Sequence, residues 1–173
     1  MKRMTITQLS IFILALTVLG LSGCSSTKKQ DNAQASAAST QATTEEQLGG
    51  LVKLGDSDSG KAGDLKTVNF AYDSAVLSDD AKNILTKNAD FLKKMETVKI
   101  RVEGHCDERG GQQYNIALGN RRAMAVKEFL KGLGVAAERI ETYSYGKERP
   151  LSFDHTESSW AQNRRGNFVV TEL

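Results

Sequence analysis

The chain has 173 residues and a formal charge of +2 at neutral pH, with 23 Lys and Arg against 21 Asp and Glu. Lys2 and Arg3 account for that excess, so the rest is formally neutral and a nucleic-acid binder held by bulk positive charge is excluded. Two cysteines, Cys24 and Cys106, and two histidines, His105 and His155, are too few for a disulfide framework or a structural zinc site.

Lys2 and Arg3 precede an apolar run from Ile11 to Leu21, which meets the small-residue stretch Leu21-Ser22-Gly23-Cys24. This order reads as a secretory signal over residues 1–23. A membrane-spanning helix needs roughly 20 apolar residues, and this run is shorter. The tetrad resembles the bacterial lipobox, in which the cysteine thiol is diacylated, the preceding peptide is removed and the new amino terminus is acylated. An ordinary signal peptide with a chance cysteine is the plainer alternative. Several fatty chains such as palmitate, at about 0.8 kcal/mol per buried CH₂, hold a protein on a bilayer where one does not. The resemblance implies lipidation at Cys24. With Ser25 rather than aspartate after the cysteine, it also implies sorting to the outer membrane, the chain on its periplasmic face. Cys106 would then be the only free thiol, and no intramolecular disulfide could form.

From Ser25 to about Asp64, Ser, Ala, Gln, Thr, Gly and Asp dominate and large apolar side chains are nearly absent, which predicts a flexible tether over residues 24–64. As a coil of about 40 residues it spans roughly 35 Å on average and about 130 Å when taut. Residues 65–173 have the usual size of one domain.

Within that domain, Lys66 to Tyr72 reads as a strand, with Val68 and Phe70 on one face and Tyr72 continuing the alternation. Ser78 caps a helix whose first turn carries Asp79 and Asp80, and whose apolar stripe is Ala81, Ile84, Leu85, Leu92 and Met95. Val98, Ile100 and Val102 alternate with Lys99, Arg101 and Glu103 in a half-buried strand that runs into Gly104, making a right-handed βαβ unit. A second helix is predicted from about Asn115 to Leu133. Its inner face carries Leu118, Arg122, Val126, Phe129, Leu130 and Leu133, and Gly134 is its stop. Ile140 to Tyr145 is a third strand, Glu157 to Asn163 a short helix after a loop at Pro150, and Asn167 to Thr171 a last strand. The order βαβαβ(α)β gives an α/β (α+β) sandwich, a mixed sheet with its helices on one side.

The segment Gly104-His105-Cys106-Asp107-Glu108-Arg109-Gly110 leaves a strand end, where loops carry function on a rigid scaffold. Asp107 reads either as a ligand-binding carboxylate or as a turn-former and cap. Arg122 shares a helical stripe with Leu118 and Val126, so its stem points inward and its charge wants a partner. Arg121 is turned about 100° away, toward solvent. A carboxylate facing a guanidinium can hold a ligand that carries both an ammonium and a carboxylate.

Enzyme readings are weaker. His105 and Cys106 are adjacent at a strand end and point to opposite faces, so they cannot readily share a proton. A metal held by His105, Asp107 and Glu108 lacks a known ligand spacing. Gly132-x-Gly134-x-x-Ala137 follows a helix rather than a strand and fails as a dinucleotide fingerprint. Tyr143 and Tyr145 could stack on RNA, but export and neutral charge argue against that.

Val68-Asn69-Phe70-Ala71-Tyr72-Asp73, Val102 to Gly110, Tyr114 to Gly119, Arg122 to Val126, Ser144 to Pro150 and Asn163-Arg164-Arg165 together resemble the peptidoglycan-associated lipoproteins, which carry an outer-membrane-protein-A-like (OmpA-like) domain. The resemblance covers most of residues 65–173. It implies non-covalent, non-enzymatic binding of the diaminopimelate-containing stem peptide of peptidoglycan, with no cofactor or metal. Asp107 would match the aspartate that takes the ligand's ammonium and Arg122 the arginine that takes its carboxylate. Phe70, Ala71, Tyr72, Asp73, Asn115 and Leu118 would match positions that shape or border the pocket, and Arg165 would belong to the C-terminal arginine pair. Ala71 stands where aspartate is common in the family, and Cys106 where threonine or alanine is usual. Cys106 reads as small and half-buried, with a reactive thiol as the alternative. The resemblance also implies a place in a Tol-Pal system serving envelope integrity and cell division, with the propeller protein TolB as partner. Glu108 to Gln113 is the plausible contact surface, and TolB binding could be the main activity.

Overall fold

The computed structural model describes residues 53–173; the signal segment, Cys24 and the tether as far as residue 52 lie outside them. The elements are β1 (Val68–Asn69), α1 (Asp79–Lys94), β2 (Lys99–His105), α2 (Gln112–Gly132), a single 3₁₀ turn (Ala137–Arg139), β3 (Ile140–Gly146), α3 (Glu157–Asn163) and β4 (Arg165–Glu172). The sheet order is β1-β4-β2-β3: β2 and β3 run parallel, and β4 is antiparallel to both β2 and β1. β1 and β2 therefore point the same way, as the βαβ reading requires, but β4 is inserted between them. Among the described residues no helix is long and apolar enough to cross a membrane.

The core forms where one face of the sheet meets α1 and α2. Ile100 pairs with Val170 and Val102 with Phe168 across β2 and β4, and these side chains pack with Leu85, Leu92, Val126 and Leu130 in one buried cluster. Ser78 caps α1 by accepting from the Ala81 N–H at 3.2 Å, and Asp79 and Asp80 sit where the helix dipole favours them. α2 starts three residues earlier than its periodicity predicts. Its N-cap is Gly111, which has no capping side chain and leaves no sequence signal. Gly134, at φ +93°, ends it in the left-handed conformation that suits glycine.

Two glycines set how closely α2 lies on β2. A Cβ added to Gly104 would sit 1.8 Å from the Gly119 carbonyl oxygen, and one added to Gly119 would meet Ser144 Oγ at 2.3 Å. Backbone thus rests on backbone, which brings the first two turns of α2 down onto the carboxyl end of β2.

Two expectations change. β1 shrinks to Val68 and Asn69, because only Gly166 and Arg165 pair with it. Val68 and Phe70 point inward, but Tyr72 is 60% exposed and stands outside the core. Residues 55–62, placed in the tether by composition, belong to the fold: 55–57 lie along β4, where Ser57 N–H donates to the Phe168 carbonyl and Val170 N–H to that of Gly55, both at 2.8 Å, and a turn follows at 57–60. Ala62 and Leu65 are buried, and Asp58 pairs with the buried Arg165 at 2.7 Å. This stretch is fixed by hydrogen bonds and an ion pair, which a test for apolar side chains does not detect.

Candidate functional site

Asp107 follows β2 and is 4% exposed. Its Oδ2 accepts from Arg109 Nη2 at 2.6 Å and from Arg164 Nη1 at 3.2 Å, while Oδ1 accepts from the Arg109 backbone N–H at 3.2 Å. The turn-forming and ion-pairing roles therefore coexist. Burial pushes this carboxyl up, but the bonds from Arg109 and Arg164 outweigh it and hold the carboxyl below the usual aspartate range.

Arg109 lies between two aromatic rings, its guanidinium carbon 4.0 Å from the Tyr72 centroid and 4.1 Å from that of Trp160. That explains the outward turn of Tyr72. The loop is braced from α2, where Asn115 Nδ2 donates to the carbonyls of Arg109 at 2.8 Å and Gly111 at 3.2 Å. Gly110 at φ +87° makes the bend. Glu108 Oε1 receives both Trp160 Nε1 at 2.8 Å and His155 Nδ1 at 2.6 Å, tying the loop to α3 and to the segment just before it.

Arg122 is fully buried, and the carbonyls of three segments converge on it. Nε donates to Ser74 O at 2.8 Å, Nη1 to His105 O at 2.7 Å and Nη2 to Ala71 O at 3.0 Å. Its guanidinium carbon lies 5.2 Å from the Phe70 ring centroid. Among the described residues no carboxylate comes within ion-pair distance, so the expected charged partner is replaced by carbonyl dipoles. Burial pulls its pKa below the usual arginine value; the group stays protonated. Besides the three carbonyls, the guanidinium also acts on the neighbouring Cys106 thiol.

Asp107 and Arg122 line one cavity of about 100 Å³, with Tyr72, Asp73, Asn115 and Leu118 in its wall. Arg109, Gly110, Cys106 and Tyr114 complete it. Both signs of charge are represented, Asp73 and Asp107 against Arg109 and Arg122. Tyr114 reaches across to hydrogen-bond Asp73, which adopts φ +49°.

Phe70, which is buried, and Ala71, which is exposed, are not part of the cavity lining. The Phe70 carbonyl accepts from Arg164 Nε at 3.1 Å, and that of Ala71 holds Arg122. Arg165 is not brought to this cavity. It bonds Asp58 and lines a separate hollow of about 530 Å³ on the other face of the sheet, near Glu103 and His105. Its neighbour Arg164 is the arginine that reaches Asp107. Cys106 is buried rather than half-buried; its Sγ donates to the Asn115 carbonyl at 3.3 Å, and burial pushes the thiol pKa up. His105 lies on the opposite sheet face, so the two do not form a dyad. His105, Asp107 and Glu108 do not converge, and among the described residues no three His, Cys, Asp or Glu side chains gather around a metal position.

The OmpA family model matches residues 69–164. The peptidoglycan-associated lipoprotein of Mesorhizobium japonicum is 39% identical over 174 residues, covering 97% of this chain and 94% of that one. The chain belongs to the OmpA family, among its peptidoglycan-associated lipoproteins. The crystal structure of the peptidoglycan-associated lipoprotein from Burkholderia pseudomallei superposes with a TM-score of 0.59 at 42% identity, covering 61% of this chain and 89% of that one. The OmpA-like domain of FopA1 from Francisella tularensis does so with a TM-score of 0.53 at 26% identity, over 62% and 73%. The stretch matched to the OmpA family begins in β1 and ends at Arg164, so it encloses every side chain of the Asp107–Arg122 cavity; Asp58 and the strand-like segment around it fall outside.

Proposed function

We propose that this domain binds peptidoglycan without cleaving it, through the diaminopimelate residue of the stem peptide, and that a lipid on Cys24 ties it to the outer membrane. The observation that carries the reading is the shared cavity of Asp107 and Arg122. Diaminopimelate differs from lysine in carrying a carboxylate beside its distal ammonium, and a site that offers both signs can select it. The positive charge of Arg122 at the cavity wall would take the carboxylate. The ammonium would come to Asp107 in place of Arg109, whose side chain is 30% exposed; Arg164, at 7%, stays and keeps the carboxylate ionised.

Purified sacculi sedimented with the chain test this reading, using Asp107→Ala and competition by free diaminopimelate or lysine stem peptide. Removing one side of a charge pair around a ligand costs about 2 to 5 kcal/mol, so Asp107→Ala should lose most binding. The diaminopimelate peptide should compete and the lysine peptide should not. Retention of Asp107→Ala at wild-type affinity would refute the site. Release of soluble muropeptides on incubation would refute binding without cleavage.

A second reading makes TolB the main partner within a Tol-Pal system. It is favoured by Arg109 and Gly110, which belong both to the Glu108–Gln113 loop and to the cavity wall, so a protein seated on that loop covers the cavity mouth. Soluble TolB should then displace the chain from sacculi. Formation of a ternary complex would separate the two surfaces.

A further inference from the structure

A groove of about 940 Å³ lies between one flank of α1 and residues 53–66, away from the Asp107–Arg122 cavity. Five lysines line it: Lys53, Lys61, Lys66, Lys87 and Lys94. All five are exposed, and among the described residues none is in an ion pair. The acids in the wall are Asp64 and Asp90, and Asp90 is engaged by Lys93 at 2.9 Å. Beneath the lysines, Ile84, Phe91 and Met95 are only partly buried. The groove therefore asks for an occupant with negative charge and a few large apolar side chains.

The chain carries one beside it. Between Cys24 and Lys53 the large apolar residues are Leu48, Leu51 and Val52, and three residues before Leu48 come the adjacent acids Glu45 and Glu46. Lys53 itself lines the groove, so this stretch is delivered to its edge, and Gly49-Gly50 lets the backbone turn back over α1. We propose that Glu45–Val52 docks in this groove, its leucines on Ile84, Phe91 and Met95 and its glutamates among Lys61, Lys66, Lys87 and Lys94.

The test uses the mature chain with Cys24→Ala, joined by a carbodiimide that links carboxylates directly to lysines, followed by peptide mass spectrometry. Links from Glu45 or Glu46 to Lys87 or Lys94 are expected. Amide exchange at Leu51 and Val52 should be on the order of tenfold slower than in an unstructured chain. Lys87→Glu with Lys94→Glu, both exposed, should abolish the links and the protection, and Glu45→Lys with Glu46→Lys in that background should restore the protection. Three results would each overturn the proposal: equal linking to the distant Lys127, Lys131 and Lys147; links that join labelled to unlabelled copies, which would mean a second chain fills the groove; or protection that arises only with anionic phospholipid vesicles.

Discussion

Replacing Arg122 by alanine removes three hydrogen bonds at once, and their surroundings set the cost. The His105 carbonyl is buried, so loss of its donor costs about 1–3 kcal/mol. Ser74 and Ala71 are more open, water can replace the guanidinium there, and each loss is worth about 1 kcal/mol at most. With the void left under a fully buried side chain, the total is about 3–5 kcal/mol. For a domain of this size that lowers the melting temperature by about 12–20 °C. Thermal unfolding of the purified chain by circular dichroism measures it. Arg121→Ala is the control, since that side chain is exposed and its loss should stay within about 0.5 kcal/mol. A shift under about 3 °C for Arg122→Ala would show that the carbonyls do not depend on the guanidinium. The same logic constrains binding studies: loss of wall binding by Arg122→Ala counts as a site effect only below that variant's melting temperature.

Asp58→Ala should destabilise the domain by about 3–5 kcal/mol in urea titrations, because it leaves the buried Arg165 without its carboxylate; an effect below about 1 kcal/mol would detach residues 55–62 from the fold. Gly104→Ala should fail to give a folded domain by near-ultraviolet circular dichroism, since its methyl carbon would overlap the Gly119 carbonyl. His155 should titrate above its ordinary value in proton NMR, because the Glu108 carboxylate stabilises the imidazolium. Its raised folded pKa means that this contact contributes fully below the unfolded value of about 6.5 and is lost as pH rises through the folded one. Glu108→Gln should lower the titration. Asp107 has the opposite sign: its depressed pKa contributes above the unfolded value of about 4 and is lost as pH falls through the folded one, so acid should loosen the Arg109–Arg164 cluster.

Elements whose signal is local were legible. The alternation Val98, Ile100, Val102 and the Ser78 cap needed no distant partner to be recognised, and Arg122 could be placed inward from the stripe it shares with Leu118 and Val126. What was hidden depends on register or on remote contacts. Arg164 and Arg165 are adjacent and chemically identical, and only the pairing of β4 with β1 and β2 decides which reaches Asp107. Arg109 and Trp160 are far apart in sequence and meet only when α3 folds over the loop. Ser57 and Asp58 look like linker until Asn167 and Arg165 are beside them.

The way residues 55–57 join β4 also has a mechanical meaning. That segment is antiparallel to β4 and so runs in the direction of β2, toward the end where Asp107 sits. A pull from the amino-terminal side against a hold at the cavity loads these hydrogen bonds and the Asp58–Arg165 pair along the strand axis, in shear, so that they bear the strain together instead of unzipping one after another. The lasting joint between an anchor and a wall would then be this short polar seam.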